Sequence, residues 1–442
     1  MSYSGAIGRL ITFAIGGGWG SEDEKDNYSK VAVIRGTDIP RVTNGDFSTV
    51  PFRYEDDKKI ANRKLNVGDI VLETAGGSSA NGQFTGRTLL VTEEVLEKLG
   101  TTICASFCKR LEVDKNLVNP GYFYHYMQDL YKSGRVASYD SQSTGISNFQ
   151  FDVFKTTEHL DLGSMKHQEQ VSSLLSGIQN QINLNSQISK TLEDIAQTIF
   201  KSWFIDFDPV KAKMAGEKPV GMDEATAALF PDSMEDSELG LIPRGWGIKN
   251  LSALSDISKI TVNPQKHLHT IFTQYSIPAF DSGGYPVEGT GSSILSNKFV
   301  LGGSAILVSK LNPRTTRVWT VLEPPASGIC STEFIVLMPR SDTLLPFINS
   351  IVRDSKFLEA LASMATGSTG SRQRVRPEDI FQIGVFVPSG DLIAKLFEVQ
   401  FPMLQHIQNL KDENQSLSKL RDSLLPRLIS GELQISEEML VT

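Results

Sequence analysis

"VSSLLSGIQNQINLNSQISKTLEDIAQTIFKSWF", residues 171–204, contains no proline and places apolar side chains at Val171, Leu175, Ile178, Ile182, Ile188, Leu192, Ile195 and Ile199. Steps of three and four are the signature of a helix with a narrow apolar stripe. The proline-free run reaches back to Lys166, and at 1.5 Å per residue a helix of nearly forty residues spans roughly 60 Å. A second run from Asp391 to Ile429 has the same character, with Ile393, Leu396, Met403, Ile407, Leu410, Leu417, Leu420 and Leu424 on its stripe. Pro402 is expected to bend this helix and Pro426 to end it or distort its last turn. Neither stripe can stay in water. The expected solution is an antiparallel pair, a coiled coil in which Asn185 and Asn414 fix the register at some cost in stability. The alternative is two helices each buried in its own domain.

Outward from the helices the chain repeats itself. "QSTGIS" (142–147) and "GSTGSR" (367–372) place Ser143, Thr144 and Gly145 225 positions before Ser368, Thr369 and Gly370. The same offset carries Leu192 onto Leu417, Ile195 onto Leu420, Ile199 onto Leu424, Phe200 onto Leu425, Trp203 onto Leu428 and Phe204 onto Ile429. Apolar positions falling on apolar positions are what internal repetition requires. Upstream, "ICASF" (103–107) faces "ICSTEF" (329–334), and "LNVGDIVL" (65–72) faces "VLGGSAIL" (300–307) at a larger offset. Each copy runs from a strand-rich region through the S-T-G loop and a short apolar strand into a long helix. "KVAVIRG", "DIVLET", "GRTLLVT", "SAILVSK", "RVWTVLE", "EFIVLM" and "IGVFVP" read as strands, and helices are expected at 92–99, 119–132 and 343–363. The fold class is α+β: two mixed bodies separated by two long helices, with an internal pseudo-two-fold repeat.

A chain of 442 residues exceeds what one core serves, so two or more domains are expected. The reading divides it into a first body at 1–164, a helix at 165–205, an acidic linker at 206–240, a second body at 241–390, a helix at 391–430 and a tail at 431–442. The net charge of −8 argues at first sight against a nucleic-acid partner, but its distribution reverses that. Residues 206–240 carry 9 acids and 3 bases, whereas 243–390 carry 14 bases and 10 acids. The Pro, Gly and charge content of 206–240 suits an exposed connector. Cys104, Cys108 and Cys330 suit buried thiols of a reducing cytoplasm better than disulfides or a zinc site. No apolar run reaches the roughly 18 residues of a membrane span, and no cleavable leader precedes the first body, so the chain reads as soluble and cytoplasmic. "GGGWG" (16–20) lacks dinucleotide-loop spacing, and the chain has neither an N/D-P-P-Y/F methylation motif nor a Walker lysine loop. No catalytic residue and no metal-ligand set emerges; His267 and His269 alternate without a third ligand nearby.

"IAQTIFKSWFIDFDPVKAK" (195–213), "LIPRGWGIKNLSALSDI" (241–257), "VSKLNPRTTRVW" (308–319) and "LRDSLLPRLISGEL" (420–433) closely resemble the specificity subunit of type I restriction-modification enzymes. Trp203 and Phe204 followed by Asp206, Phe207 and Pro209 are the most specific part, and the resemblance covers nearly the whole chain. It implies a non-catalytic reader of double-stranded DNA in a bacterial defence system. Each target-recognition domain would read one half of an asymmetric, split site. Two modification subunits would dock on the helices and methylate adenine with S-adenosylmethionine, a cofactor this chain would not bind, and restriction subunits would join conditionally. Two major-groove readers on one DNA face sit about one helical turn, ~34 Å, apart, a gap that a stiff helical pair can set. The rival readings are an adaptor of another defence assembly and a coiled-coil scaffold joining two protein-binding domains without DNA.

On that reading the candidate DNA contacts lie on loops. In the second body Lys310, Asn312, Arg314 and Arg317 surround a proline turn, and Ser368, Thr369, Arg372, Gln373 and Arg374 follow the S-T-G echo, with Arg376 beyond. Arg and Lys pair with guanine or phosphate, and Asn and Gln with adenine. The first body offers Gln142, Ser143, Thr144, Ser147, Asn148 and Gln150 on the matching loop, and Ser78, Asn81, Gln83 and Arg87 on "TAGGSSANGQFTGR" (74–87). A turn whose Ser and Thr bond their own backbone is the competing account of the matching loop. Candidate helix-pair and subunit-interface positions are Ile178, Ile182, Leu192, Ile195, Ile199, Phe200, Trp203, Phe204, Leu410, Leu417, Leu420 and Leu424. For Phe200, Trp203 and Phe204, core packing is the alternative to subunit docking.

Overall fold

The computed structural model describes residues 4–76, 84–143, 146–238, 240–366 and 373–435, with the backbone alone for Gln142, Ser143 and Ile146. The chain is mixed helix and strand. Its two long helices are Met165–Phe204 and Gly390–Ile429, forty residues each. The second helix runs on through both prolines to Ile429, so Pro426 does not end it. Each removes one backbone donor and presses on the preceding turn. Buried Leu396, Leu404 and Ile407 flank Pro402, and buried Leu425, Leu428 and Ile429 flank Pro426, so packing holds the helix on both sides of each break.

Two compact units form, Met1–Asn185 with Ser416–Thr442, and Ser186–Gln415. Each long helix gives one part to each unit. In the first, Val171 and Leu175 join Leu425, Leu428 and Ile429 in one apolar cluster with Tyr122, Phe123 and Met127. In the second, Phe200, Trp203 and Phe204 share a cluster with Leu392, Ile393 and Leu396.

The units repeat one topology. In the first, a four-stranded antiparallel sheet runs in the order Ile11–Gly16, Cys108–Val113, Ile70–Glu73, Thr88–Leu90. In the second the order is Ser255–Ser258, Phe334–Pro339, Ala305–Ser309, Val318–Val321. Beside each lies a sheet with one parallel pair, Tyr28–Ile34 with Thr102–Cys104 and Ile271–Tyr275 with Gly328–Ser331. Ile34 aligns with Cys104, and Tyr275 with Cys330. The two cysteines are thus equivalent, at the offset read between "ICASF" and "ICSTEF". Burial pushes both thiols up to about 12, which suits core residues and not nucleophiles.

Three expectations need correction. The segment 206–240 is not an open connector: Asp208–Met214 and Glu224–Ala228 are helical, and Phe207, Val210 and Phe230 are buried in the core of the second unit. The helix expected at 343–363 is two helices, Leu345–Arg353 and Ser355–Ser363. Asp354 leaves helical geometry between them and accepts a hydrogen bond from Lys356 N, capping the second. Finally, Ile195 and Leu420 are 42% and 47% exposed. The buried line of the first helix passes instead through Ile182, Asn185, Ser189 and Ala196 to Phe200, and that of the second through Gln400, Ile407, Leu410 and Asn414 to Leu425. Asn185 and Asn414 are buried in the seam as expected, and Ser189, Ala196 and Gln400 fill places where the apolar pattern pointed to isoleucine and leucine. Gln400 serves both sides, donating to Ala196 O at 2.8 Å and accepting from Ser350 Oγ at 3.0 Å.

The domain helix Pro120–Lys132 begins with Asn119 accepting from Tyr122 N and Pro120 in the first turn, where its missing N–H has no cost. This helix buries His125, 3.3 Å from Ser176 Oγ. Burial first, then the charges of Arg421 and Lys132, lower its pKa from 6.5 to about 3. The unfolded chain therefore takes up a proton below 6.5 that the folded chain refuses, so this contribution is complete above 6.5 and is lost as pH falls toward 3. Between pH 7 and pH 5 the wild type is expected to lose about 2 kcal/mol more stability than His125→Gln. Urea unfolding of both proteins at the two pH values measures it; parallel losses would place His125 outside the linkage.

Candidate nucleic-acid interface

The candidate loops of the first unit converge on one junction. Asp140–Ser143 and Ile146–Phe149 form a hairpin, and Ala75–Gly76 adds a third strand, with Asn148 opposite Ala75 and Ser147 opposite Gly76. Phe149 N donates to Thr74 O at 2.9 Å, while Thr74 N and Ala75 N donate to Phe107 O at 2.8 and 3.2 Å. Residues 74–76 and the strand Ile146–Phe149 are therefore neighbours, although more than sixty positions separate them in the chain. Ser78, Asn81, Gln83, Thr144 and Gly145 lie outside the described residues, as do the side chains of Gln142 and Ser143.

The second unit builds the same junction. Val375 N donates to Lys310 O at 3.0 Å, Lys310 N to Glu333 O at 3.0 Å, and Asn312 N to Gln373 O at 2.9 Å. Thr366 and Arg374, which flank "GSTGSR" in the chain, exchange backbone bonds of 2.9 and 3.0 Å. Matching the bonds pairs Thr74 with Lys310, Phe107 with Glu333 and Phe149 with Val375. Asn312 adopts a left-handed φ of 49°, a conformation asparagine tolerates better than most residues, and accepts from Thr315 N to close the proline turn. Ser368, Thr369, Gly370 and Arg372 lie outside the described residues.

The candidate side chains differ in what they already hold. Arg314 is exposed and Lys310 half-buried. Arg374 is exposed, its fork on Glu333 at 3.0 and 3.2 Å. Arg317 makes a bidentate bond to Asp281 at 2.7 and 2.9 Å, which holds its guanidinium above the usual arginine pKa. Arg87 makes the corresponding fork on Glu73 of its own unit, with a carboxylate only 2% exposed. Ser147 is fully buried and its Oγ has no partner among the described residues, so it faces the junction's interior. Gln373 and Asn148 are half-buried.

The interface candidates on the helices divide similarly. Phe200, Trp203 and Phe204 are buried in the second unit, where Phe204 lies 5.3 Å from Phe347 and 5.6 Å from Trp246 by ring centroids. Ile178, Ile182 and Leu410 are buried; Leu192, Ile199, Leu417 and Leu424 are half-buried. A pair that pattern reading missed is Phe397 and Phe401, stacked at 4.6 Å on the second helix and half-buried. Their spacing of four was a visible signal. Among the described residues no cluster of acids, histidines or cysteines could hold a metal, and no helix is long and apolar enough to cross a membrane.

No family model matches the chain. It is 24% identical over 430 residues, 92% of this chain and 90% of the other, to the type I restriction enzyme MjaIX specificity subunit of Methanocaldococcus jannaschii. It is also 24% identical over 341 residues, 66% of this chain and 73% of the other, to the HindI specificity subunit of Haemophilus influenzae. Its fold matches the crystal structure of the type I restriction-modification S subunit of M. genitalium with a TM-score of 0.54 and 15% identity, over 97% of this chain and 96% of that one. The sequence relationships and the doubled fold agree: the chain is a homologue of the specificity subunits of type I restriction-modification enzymes.

Proposed function

We propose that this chain is the DNA-reading, non-catalytic subunit of a type I restriction-modification complex. Each unit reads one half of an asymmetric split site, and the long helices set the length of DNA left unread between the halves. Two modification subunits dock on the helices and methylate adenine with S-adenosylmethionine that they, not this chain, bind. Restriction subunits join that assembly conditionally, in the cytoplasm. The observation that carries the reading is the doubled junction, where a polar hairpin and a second loop meet at the same end of equivalent sheets. Two readers of different composition suit two different half-sites.

The test is genome-wide detection of methylated adenine in cells expressing this chain with its modification subunit, against cells with that subunit alone. A chain-dependent bipartite motif is expected. An intact, active complex that adds no motif would refute the reading. Within that assay Arg374 and Arg314 separate two roles. Glu333 fixes the fork of Arg374 as a guanine reader would require, so Arg374→Ala is expected to cost about 1–3 kcal/mol of discrimination at one base pair. Arg314, exposed beside the proline turn, suits a phosphate. Arg314→Ala should weaken binding to all sequences alike and reduce the slope of log affinity against log salt by about 1.

A further inference from the structure

We infer that Phe107 is a specificity-determining residue of the first unit, an apolar probe for the 5-methyl group of a thymine in the major groove. The inference rests on the reading of the chain as a DNA reader. Four Phe and Trp rings are exposed among the described residues: Phe13, Trp19, Phe52 and Phe107. Three have a cation over the ring, with Arg110 5.5 Å from Phe13, Arg53 4.5 Å from Trp19 and Lys30 5.2 Å from Phe52. Phe107, the most exposed at 60%, has none among the described residues and belongs to none of their apolar clusters.

Its backbone is held tightly. Phe107 O accepts from Thr74 N, Ala75 N and Thr74 Oγ1 at 2.8, 3.2 and 3.1 Å, at the root of loop 77–83. Cys108 N bonds Ala105 O, and Ala105 N bonds Ile34 O, both at 2.8 Å. The "GGGWG" stretch braces the other side. Gly17 N and Gly18 N donate to Cys108 O and Cys104 O at 2.9 Å, and a Cβ on Gly17 would stand 2.2 Å from the carbonyl oxygens of Cys104 and Ala105. Only glycine lets the two chains approach so closely. The turn thus fixes the backbone that carries the exposed ring, a preorganisation that favours binding.

The repeat gives the second argument. The matching position in the second unit is Glu333, whose carbonyl makes the same bond to Lys310 N and whose carboxylate grips Arg374. Where one unit places an acid that orients an arginine, the other places an apolar ring. Arginine suits guanine; an apolar ring suits the thymine methyl, the one apolar feature of the major-groove edges.

The complex of this chain with its modification subunit tests this once the motif is known. Each thymine in the half-site that the first unit reads is replaced in turn by deoxyuridine, which lacks only the methyl, and methylation rates of limiting duplex are compared for wild type and Phe107→Ala. One position is expected to show a rate about fourfold lower in the wild type, the effect of one buried methyl, and no loss in F107A; F107L should retain part of it. Equal losses in both proteins, no sensitive thymine, or a half-site without thymine would overturn the inference while leaving the DNA reading intact. Absence of any chain-dependent methylation would overturn both.

Discussion

Phe204→Ala is expected to destabilise the second unit by about 3–5 kcal/mol, the range for deleting a buried ring. Phe204 is almost wholly buried, and its ring meets those of Phe200, Trp203, Trp246 and Phe347 with centroids 5.3–6.0 Å apart. These neighbours come from the long helix, from Trp246 just before the strand Gly247–Asn250 and from the helix Leu345–Arg353, so they cannot all close on the cavity together. Denaturant unfolding followed by tryptophan fluorescence reads the loss, since Trp203 and Trp246 report from the same cluster. The contrast with Phe397 and Phe401 separates core from docking. Their stacked pair belongs to no apolar cluster, so changing both to Ala should leave the unfolding midpoint within about 0.5 kcal/mol and weaken association with the modification subunit. A wild-type midpoint for Phe204→Ala with lost association would assign the docking role to the buried group instead.

The doubled architecture was legible because it rests on patterns that survive divergence. The offset between "ICASF" and "ICSTEF" reproduces the equivalence of Cys104 and Cys330 across the parallel strand pairs, while the S-T-G echo itself lies outside the described residues. What failed was tertiary. In 206–240 the core residues Phe207, Val210 and Phe230 are scattered among nine acids, without a periodic signal yet enough to dock the segment. In the helix seam Asn185 and Asn414 were legible, but the buried line also turns polar at Ser189 and Gln400, and an apolar count drifts to Ile195 instead. Pro426 did not end the helix, which packing carries on to Ile429.

At the candidate interface the residue types were readable and their engagements were not. Arg317 finds Asp281 36 positions away, and Arg374 finds Glu333 41 away; no local spacing announces either pair. Phe107 was passed over because an isolated aromatic between two cysteines reads as core. Only the fold reveals that both cysteines point inward while the ring between them points out. The glycines of "GGGWG" carried a signal of close approach, but the partner, the Cys104–Ala105 backbone, lies nearly ninety residues downstream.

Arg87 was read as a DNA contact, and its geometry leads to a different expectation. Glu73 and Arg87 bracket loop 77–83, and their backbones bond directly, Glu73 N to Arg87 O at 2.9 Å and Gly86 N to Glu73 O at 3.1 Å. The side chains close the same bracket with a bidentate fork. Gly36 packs on Glu73 so tightly that a Cβ there would stand 2.4 Å from Oε1, so the carboxylate has no room to turn toward water. Arg87→Ala therefore strands a buried carboxylate, and breaking such a pair from one side costs about 3–5 kcal/mol. Removing both partners removes the stranded charge, so Arg87→Ala with Glu73→Ala should be less damaging than Arg87→Ala alone. That inversion of additivity is the mark of a clasp. Urea unfolding of the single and double variants measures it. In the methylation assay the single variant should blur the half-site read by the first unit while the other half keeps its bases. Unchanged stability with weakened binding would return Arg87 to the role of reader.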